Sequence, residues 1–157
     1  MSATSPDSHL PAHWVDQSPA LASPPPRGGF ARNLHAFASV QFATAAGAPP
    51  EARLNWAVAQ VSAMIAATPG RGAFVYRLSV FVMAWVAPLL IFRLPTFQRL
   101  GFEQRVHALE RFERSPFGMM LFAIKALICI VYYEHPDAAV EVGFDGACMG
   151  APPEEVR

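Results

Sequence analysis

The segment from Ala73 to Phe92 contains the longest uninterrupted apolar run of the chain, which extends from Val80 to Phe92. At 1.5 Å per residue, a helix of this length extends over about 30 Å, the thickness of a bilayer core. Arg71 and Arg93 flank the segment, so a membrane-spanning helix is one interpretation. A helix buried on all sides by its neighbours is the other, because the centre of a helical bundle needs the same composition. The sequence alone leaves both open.

The chain before this segment predicts two shorter helices. Spacings of three and four separate Phe30, Leu34, Phe37 and Gln41, which predicts a short amphipathic helix, and Gly47 to Pro50 ends it. A second helix opens at Glu51 and stops at Pro69-Gly70. Its expected core-facing residues are Leu54, Val58, Val61 and Ile65.

Two further helices are predicted after the apolar segment. One is expected to begin near Thr96, which can act as an N-cap, and its apolar stripe runs to Phe112. The next is expected to begin at Ser115-Pro116 and to continue to about His135, because Pro136 cannot extend a helix. No strand-length alternating pattern occurs. The predicted fold class is therefore all-α, with about five helices in a bundle.

The composition of the ends predicts three regions in the chain. Residues 1–29 are rich in Pro, Ser and Gly and cannot bury enough apolar surface to offset their ordering entropy, so we expect a disordered or clasping arm. Residues 30–146 are expected to form one helical domain. Residues 147–157 are expected to be a flexible tail.

The overall charge and the cysteines exclude several classes of function. Twelve basic residues balance twelve acidic ones, so nothing favours binding to nucleic acid. Cys129 and Cys148 lie far apart without a CxxC pattern, and His9 and His13 are separated by Pro11, so no metal site is expected. The first thirty residues lack the pattern of a secretory signal, which predicts a cytoplasmic protein. With 53% hydrophobic and 15% charged residues, some apolar surface is expected to meet a partner or the inner face of the membrane.

Lys125 is the clearest anomaly in the predicted helices, because eight mostly apolar residues stand on each side of it. A charge in such a helix survives when it is paired or reaches the surface, so we expect a structural lysine that pairs with an acid or anchors a turn. No second titrating group stands beside it at a fixed spacing, which argues against a catalytic lysine.

The polar cluster from Tyr132 to Asp137 coincides with a helix end. A histidine in a last helical turn and an aspartate after a proline are both explained by capping and turn formation. No nucleophile, base and orienting group are jointly implied, so no catalytic residue is predicted. The turn from Gly143 to Gly146 lacks the strand and helix that a phosphate-binding loop requires.

The last third of the chain resembles a helical module that precedes the flavin domain in long-chain alcohol oxidases of the glucose–methanol–choline superfamily. The same module occurs in small separate proteins that accompany such flavoenzymes. The resemblance covers roughly residues 36–146 and is strongest after Arg93. The matching features are Phe97, Arg105 with Leu109, Ser115, Lys125, Tyr132-Tyr133, Pro136 and Gly143-Phe144-Asp145-Gly146.

The resemblance implies an accessory protein, because the flavin domain and its catalytic histidines have no counterpart in this chain. It implies that FAD is held by a partner oxidoreductase and that this chain holds no cofactor. The final turn is where the fused oxidases continue toward their flavin domain, which implies docking there. The candidate docking or structural residues are Arg105, Lys125, Tyr132, Tyr133, Gly143, Asp145 and Gly146.

The sequence therefore predicts one of two alternative functions. The first is a non-catalytic small subunit or cap of a separate FAD-dependent oxidoreductase that acts on lipophilic alcohols or sterol-like substrates. The second is a small membrane-anchored helical protein that spans the bilayer at about residues 73–92 and has no redox partner.

Overall fold

The computed structural model describes residues 23–143, and the regular structure in that range is helical apart from one isolated β-bridge between Thr44 and Gly47. It comprises six α-helices and one short 3-10 helix, in the order α1 (Gly28–Gln41), α2 (Glu51–Ala67), α3 (Arg71–Leu89), the 3-10 helix (Phe97–Arg99), α4 (Phe102–Glu113), α5 (Gly118–Tyr133) and α6 (Pro136–Glu141). The predicted all-α bundle is confirmed. The additional helix is α6, which the predicted five did not include.

The start of the folded part differs slightly from the predicted boundary. α1 begins at Gly28, so the last two residues assigned to the arm belong to a helix. Pro24, Pro25 and Pro26 share a groove with residues of α2. Residues 1–22 of the predicted arm and the predicted tail 147–157 lie outside the described residues.

The segment before α4 is less helical than predicted. Thr96 precedes the 3-10 helix and its side chain makes no capping hydrogen bond. Leu100 and Gly101 then adopt extended backbone, so α4 begins at Phe102. The Gly101 N–H donates to the Gln104 side chain at 3.3 Å, which satisfies one donor at the start of the helix.

A sharp corner separates α4 from α5, whose axes differ in direction by 119°. Contrary to the prediction, Ser115 is not the N-cap of α5. Its hydroxyl donates to the Phe112 carbonyl oxygen at 2.6 Å and accepts from the Phe117 N–H at 3.2 Å, and so closes the corner. α5 begins at Gly118, where a Cβ atom would collide with the carbonyl group of Glu113. This close backbone approach explains the glycine.

The end of α5 also differs from the prediction. The helix stops at Tyr133, and His135 is the N-cap of α6, not a member of the last turn of α5. Its Nδ1 atom accepts from the Asp137 N–H at 3.3 Å. Pro136 lacks an N–H and therefore starts the new helix instead of extending the old one.

One hydrophobic core joins the helices. The four residues predicted to face the core from α2 are all buried, as are Leu34 and Phe37 of α1. α3 contacts α1, α2, α4 and α5. It nevertheless buries only one face, on which lie Val80, Met83, Ala84 and Ala87. The interpretation of this helix as buried on all sides is therefore wrong.

Candidate docking surfaces

The buried guanidinium of Arg53 forms an ionic cluster that ties α6 to α2. The residue is 5% exposed, and its guanidinium donates to Glu141 at 2.6 and 3.0 Å in a bidentate pair. It also donates to the Tyr132 hydroxyl at 3.2 Å. Hydrogen bonding to Glu141 raises the pKa of Arg53, and the same bond lowers the pKa of Glu141. The pair holds α6 in place.

Aromatic rings enclose this cluster. Phe42 stacks on Tyr132 with ring centroids 3.7 Å apart, and Trp56 meets His135 edge to face at 5.1 Å. Burial raises the pKa of Tyr132 and lowers the pKa of His135, because both charged forms lose hydration. Tyr132 is thus a core residue, whereas its neighbour Tyr133 is exposed.

Lys125 pairs with an acid, in accordance with the expectation for a charge in an apolar helix. Its Nζ atom lies 2.9 Å from the Glu113 Oε1 atom, so the ion pair crosses the corner between α4 and α5. Both side chains keep access to solvent. The pair fastens the two helices and leaves no free lysine on α5.

Arg105 serves as a brace between three elements. It donates to the Gln98 carbonyl oxygen at 2.9 Å and approaches the Ser39 hydroxyl at 3.4 Å. Within residues 23–143 no carboxylate pairs with it, and burial lowers its pKa. Arg105 therefore joins α4 to α1 and to the 3-10 helix.

The structure does not bring the predicted residues together in one site. Arg105, Lys125 and Tyr132 each have separate partners inside the fold, and Gly143 follows α6 in a turn with φ of 76°. Asp145 and Gly146 lie outside the described residues, so their docking role stays a prediction. Sequence reasoning missed Arg53 and Glu141, because each looks like an ordinary charged residue near a helix end.

The described residues contain no group of three or more His, Cys, Asp or Glu side chains that could hold a metal ion. Cys129 is half-buried, and burial raises the pKa of its thiol, which disfavours a reactive thiolate. The polar groups described above are used in structural contacts. What remains for function is the apolar surface.

Two helices present large apolar side chains to solvent. We call the first set the α5 face; it consists of Met119, Phe122, Ile130 and Tyr133. The second set, the α3 stripe, consists of Phe74, Leu78, Phe81, Trp85 and Leu89. The members of the α3 stripe recur every three or four residues, and those of the α5 face are three or eight residues apart, so each set lies along one side of its helix. Both sets are apolar where a soluble helix would carry charged residues.

The C-terminal end of α3 extends this apolar surface into a projecting turn, the α3 tip, formed by Phe92, Arg93 and Leu94. Phe92 is 97% and Leu94 is 86% exposed. The Arg93 N–H donates to the Pro88 carbonyl oxygen and the Phe92 N–H to that of Leu89, both at 3.0 Å. This is the Schellman pattern, in which the residue with positive φ is usually glycine. Here that residue is Phe92, with φ of 57°.

No protein-family model, curated protein or solved structure matches the chain.

Proposed function

We propose that the protein is a non-catalytic accessory subunit of a separate FAD-dependent oxidoreductase of the glucose–methanol–choline type. The partner would hold FAD and carry out hydride transfer from a lipophilic alcohol or sterol-like substrate. The observation that carries the proposal is the α5 face, which lies within the part of the chain where the resemblance to the oxidase module is strongest.

The contacts of α5 support a docking role. Its charged residue Lys125 is paired with Glu113, and its buried tyrosine Tyr132 is bonded to Arg53. The outward side chains are left as apolar contact area, and a partner that covered them would gain roughly 25 cal/mol for each Å² removed from water. Large aromatic and methionine side chains are also the types enriched in the cores of protein interfaces.

Co-purification tests the proposal. A tagged full-length chain, extracted in mild detergent from its own cells, is expected to bring down a protein with a flavin absorbance spectrum. Replacing Phe122 and Ile130 by serine is expected to abolish this capture, because both are exposed members of the α5 face. The matched control replaces Phe74 and Leu78 of the α3 stripe by serine and is expected to keep the flavoprotein. Absence of any flavoprotein with the wild-type chain refutes the proposal.

A second function, a small protein anchored by a membrane span, is favoured by one observation. α3 is long and apolar enough to cross a bilayer. Spanning would withdraw Val80, Met83 and Ala87 from the core, which opposes this alternative. Alkaline carbonate extraction separates the cases, because a spanning protein stays with the membrane pellet whereas an accessory subunit is released.

A further inference from the structure

Phe92 has a backbone conformation that disfavours its own side chain. A positive φ brings Cβ close to the neighbouring carbonyl oxygen in every residue except glycine. The ring is almost wholly in water, so packing within the fold does not compensate. A strained residue that stabilises nothing in the folded chain points to a role outside it.

The α3 tip continues the α3 stripe. Leu89 is the last residue of the stripe and of the helix, and Phe92 follows three residues later in the turn that ends it. Leu94 adds a second exposed apolar side chain, with Arg93 between them. The whole length of α3 thus presents apolar groups on one side, while its other side is fixed in the core.

The segment that carries this surface is basic. No Asp or Glu occurs between Glu51 and Glu103, and the exposed charged residues of that segment are Arg71, Arg77, Arg93 and Arg99. A groove of about 510 Å³ lies at the base of the α3 tip. Its charged lining residues are two arginines, Arg93 and Arg111, and one carboxylate, Glu103.

We infer that α3 lies in the plane of an anionic membrane surface. The stripe and the tip enter the boundary between headgroups and acyl chains, and the surrounding arginines contact lipid phosphates. An apolar helix face with basic residues beside it is the pattern of interfacial attachment, and each basic residue adds attraction to anionic lipid. A lipid surface accommodates a projecting Phe92 without a complementary pocket, whereas a protein partner would have to supply one. The inference is independent of the proposed enzyme partner.

Flotation with vesicles tests this attachment on the purified full chain. Binding is expected to phosphatidylcholine vesicles that contain phosphatidylserine, to be weaker without phosphatidylserine, and to fall as salt is raised. A double variant, Phe92→Gly with Leu94→Ser, is expected to lower the partition at least about tenfold, because it removes two inserted side chains. Glycine suits the backbone at position 92, so the variant keeps its fold, which thermal unfolding verifies.

The matched control is Phe122→Ser with Ile130→Ser on the α5 face, which is expected to bind vesicles as the wild type does. Trp85 supplies a second readout. Brominated lipid is expected to quench part of the tryptophan emission of the wild-type chain, and Trp85→Phe is expected to remove that part.

Three results would overturn the inference. One is unchanged vesicle binding in the tip variant, and another is an equal loss in the α5 control. The third is a dimer in solution that the tip variant dissociates and that binds no vesicles, since the surface would then belong to a second copy of the chain.

Discussion

The ion pair between Arg53 and Glu141 allows a quantitative test of how α6 is held. Replacing Glu141 by Gln keeps the shape of the side chain but removes the charge that faces a guanidinium only 5% exposed. Breaking a fully buried ion pair costs about 3–5 kcal/mol. Glu141 is 59% exposed, so solvent screens part of the loss and we expect about 1–3 kcal/mol.

The assay is chemical and thermal unfolding of the wild type, Glu141→Gln, Arg53→Met and the double variant. We expect a coupling energy of about 1–2 kcal/mol between the two positions, because the residues share two hydrogen bonds. Arg53→Met also removes the bond to Tyr132, so this single variant is expected to be the less stable one.

The pH dependence of stability provides a second, independent test of this ion pair. Arg53 lowers the pKa of Glu141, so the pair stabilises the fold above the unfolded carboxyl pKa of 4.5 and loses this contribution as the pH falls through the lower folded value. The difference in stability between wild type and Glu141→Gln should therefore shrink in acid. Two results would contradict the stabilising role of the ion pair. One is that the losses of stability in the two single variants add up to the loss in the double variant. The other is that the stability difference between wild type and Glu141→Gln does not change with pH.

Other variants test separate parts of the fold. Gly118→Ala is expected to destabilise the protein by about 1–3 kcal/mol, because the new methyl group meets the Glu113 carbonyl; a wild-type melting temperature would contradict this. Phe92→Gly is expected to leave stability unchanged or raise it by up to about 1 kcal/mol in denaturant titration, since relief of strain outweighs the added freedom of the unfolded chain. Lys125→Met is expected to change the unfolding free energy by less than about 1 kcal/mol, because the ion pair is partly solvated; a larger loss would indicate a further partner. Burial lowers the pKa of His135, so the wild type should lose stability as the pH falls below 6.5, and His135→Asn should reduce that loss in melts at several pH values.

Helical periodicity identified much of the fold from local patterns. The buried residues of α2 recur at positions 54, 58, 61 and 65, and a spacing of three and four can place such residues on one side only of a helix. Pro136 predicted a helix boundary for an equally local reason, since it has no N–H to donate. The same kind of reasoning placed the cap of α4 wrongly, because Thr96 resembles an N-cap in sequence while the extended backbone at Leu100 and Gly101 delays the helix.

The candidate docking surfaces could not be predicted from the sequence, because they depend on long-range contacts. α3 is apolar on nearly every side, so its sequence carries no signal for which face is buried, and its packing against four other helices decided this. The sequence likewise carried no signal for the strained backbone of Phe92, because a residue type does not reveal a positive φ at a helix end.

By itself, the sequence determined the helical class, the core-facing side of α2 and the need of Lys125 for a counter-charge. The tertiary structure determined that this counter-charge is Glu113, because the corner between α4 and α5 brings Glu113 back toward Lys125. It also joined Arg53 to Glu141, 88 positions further along the chain. Local spacing controls which side of a helix avoids water, whereas the meeting of distant side chains depends on how the helices cross.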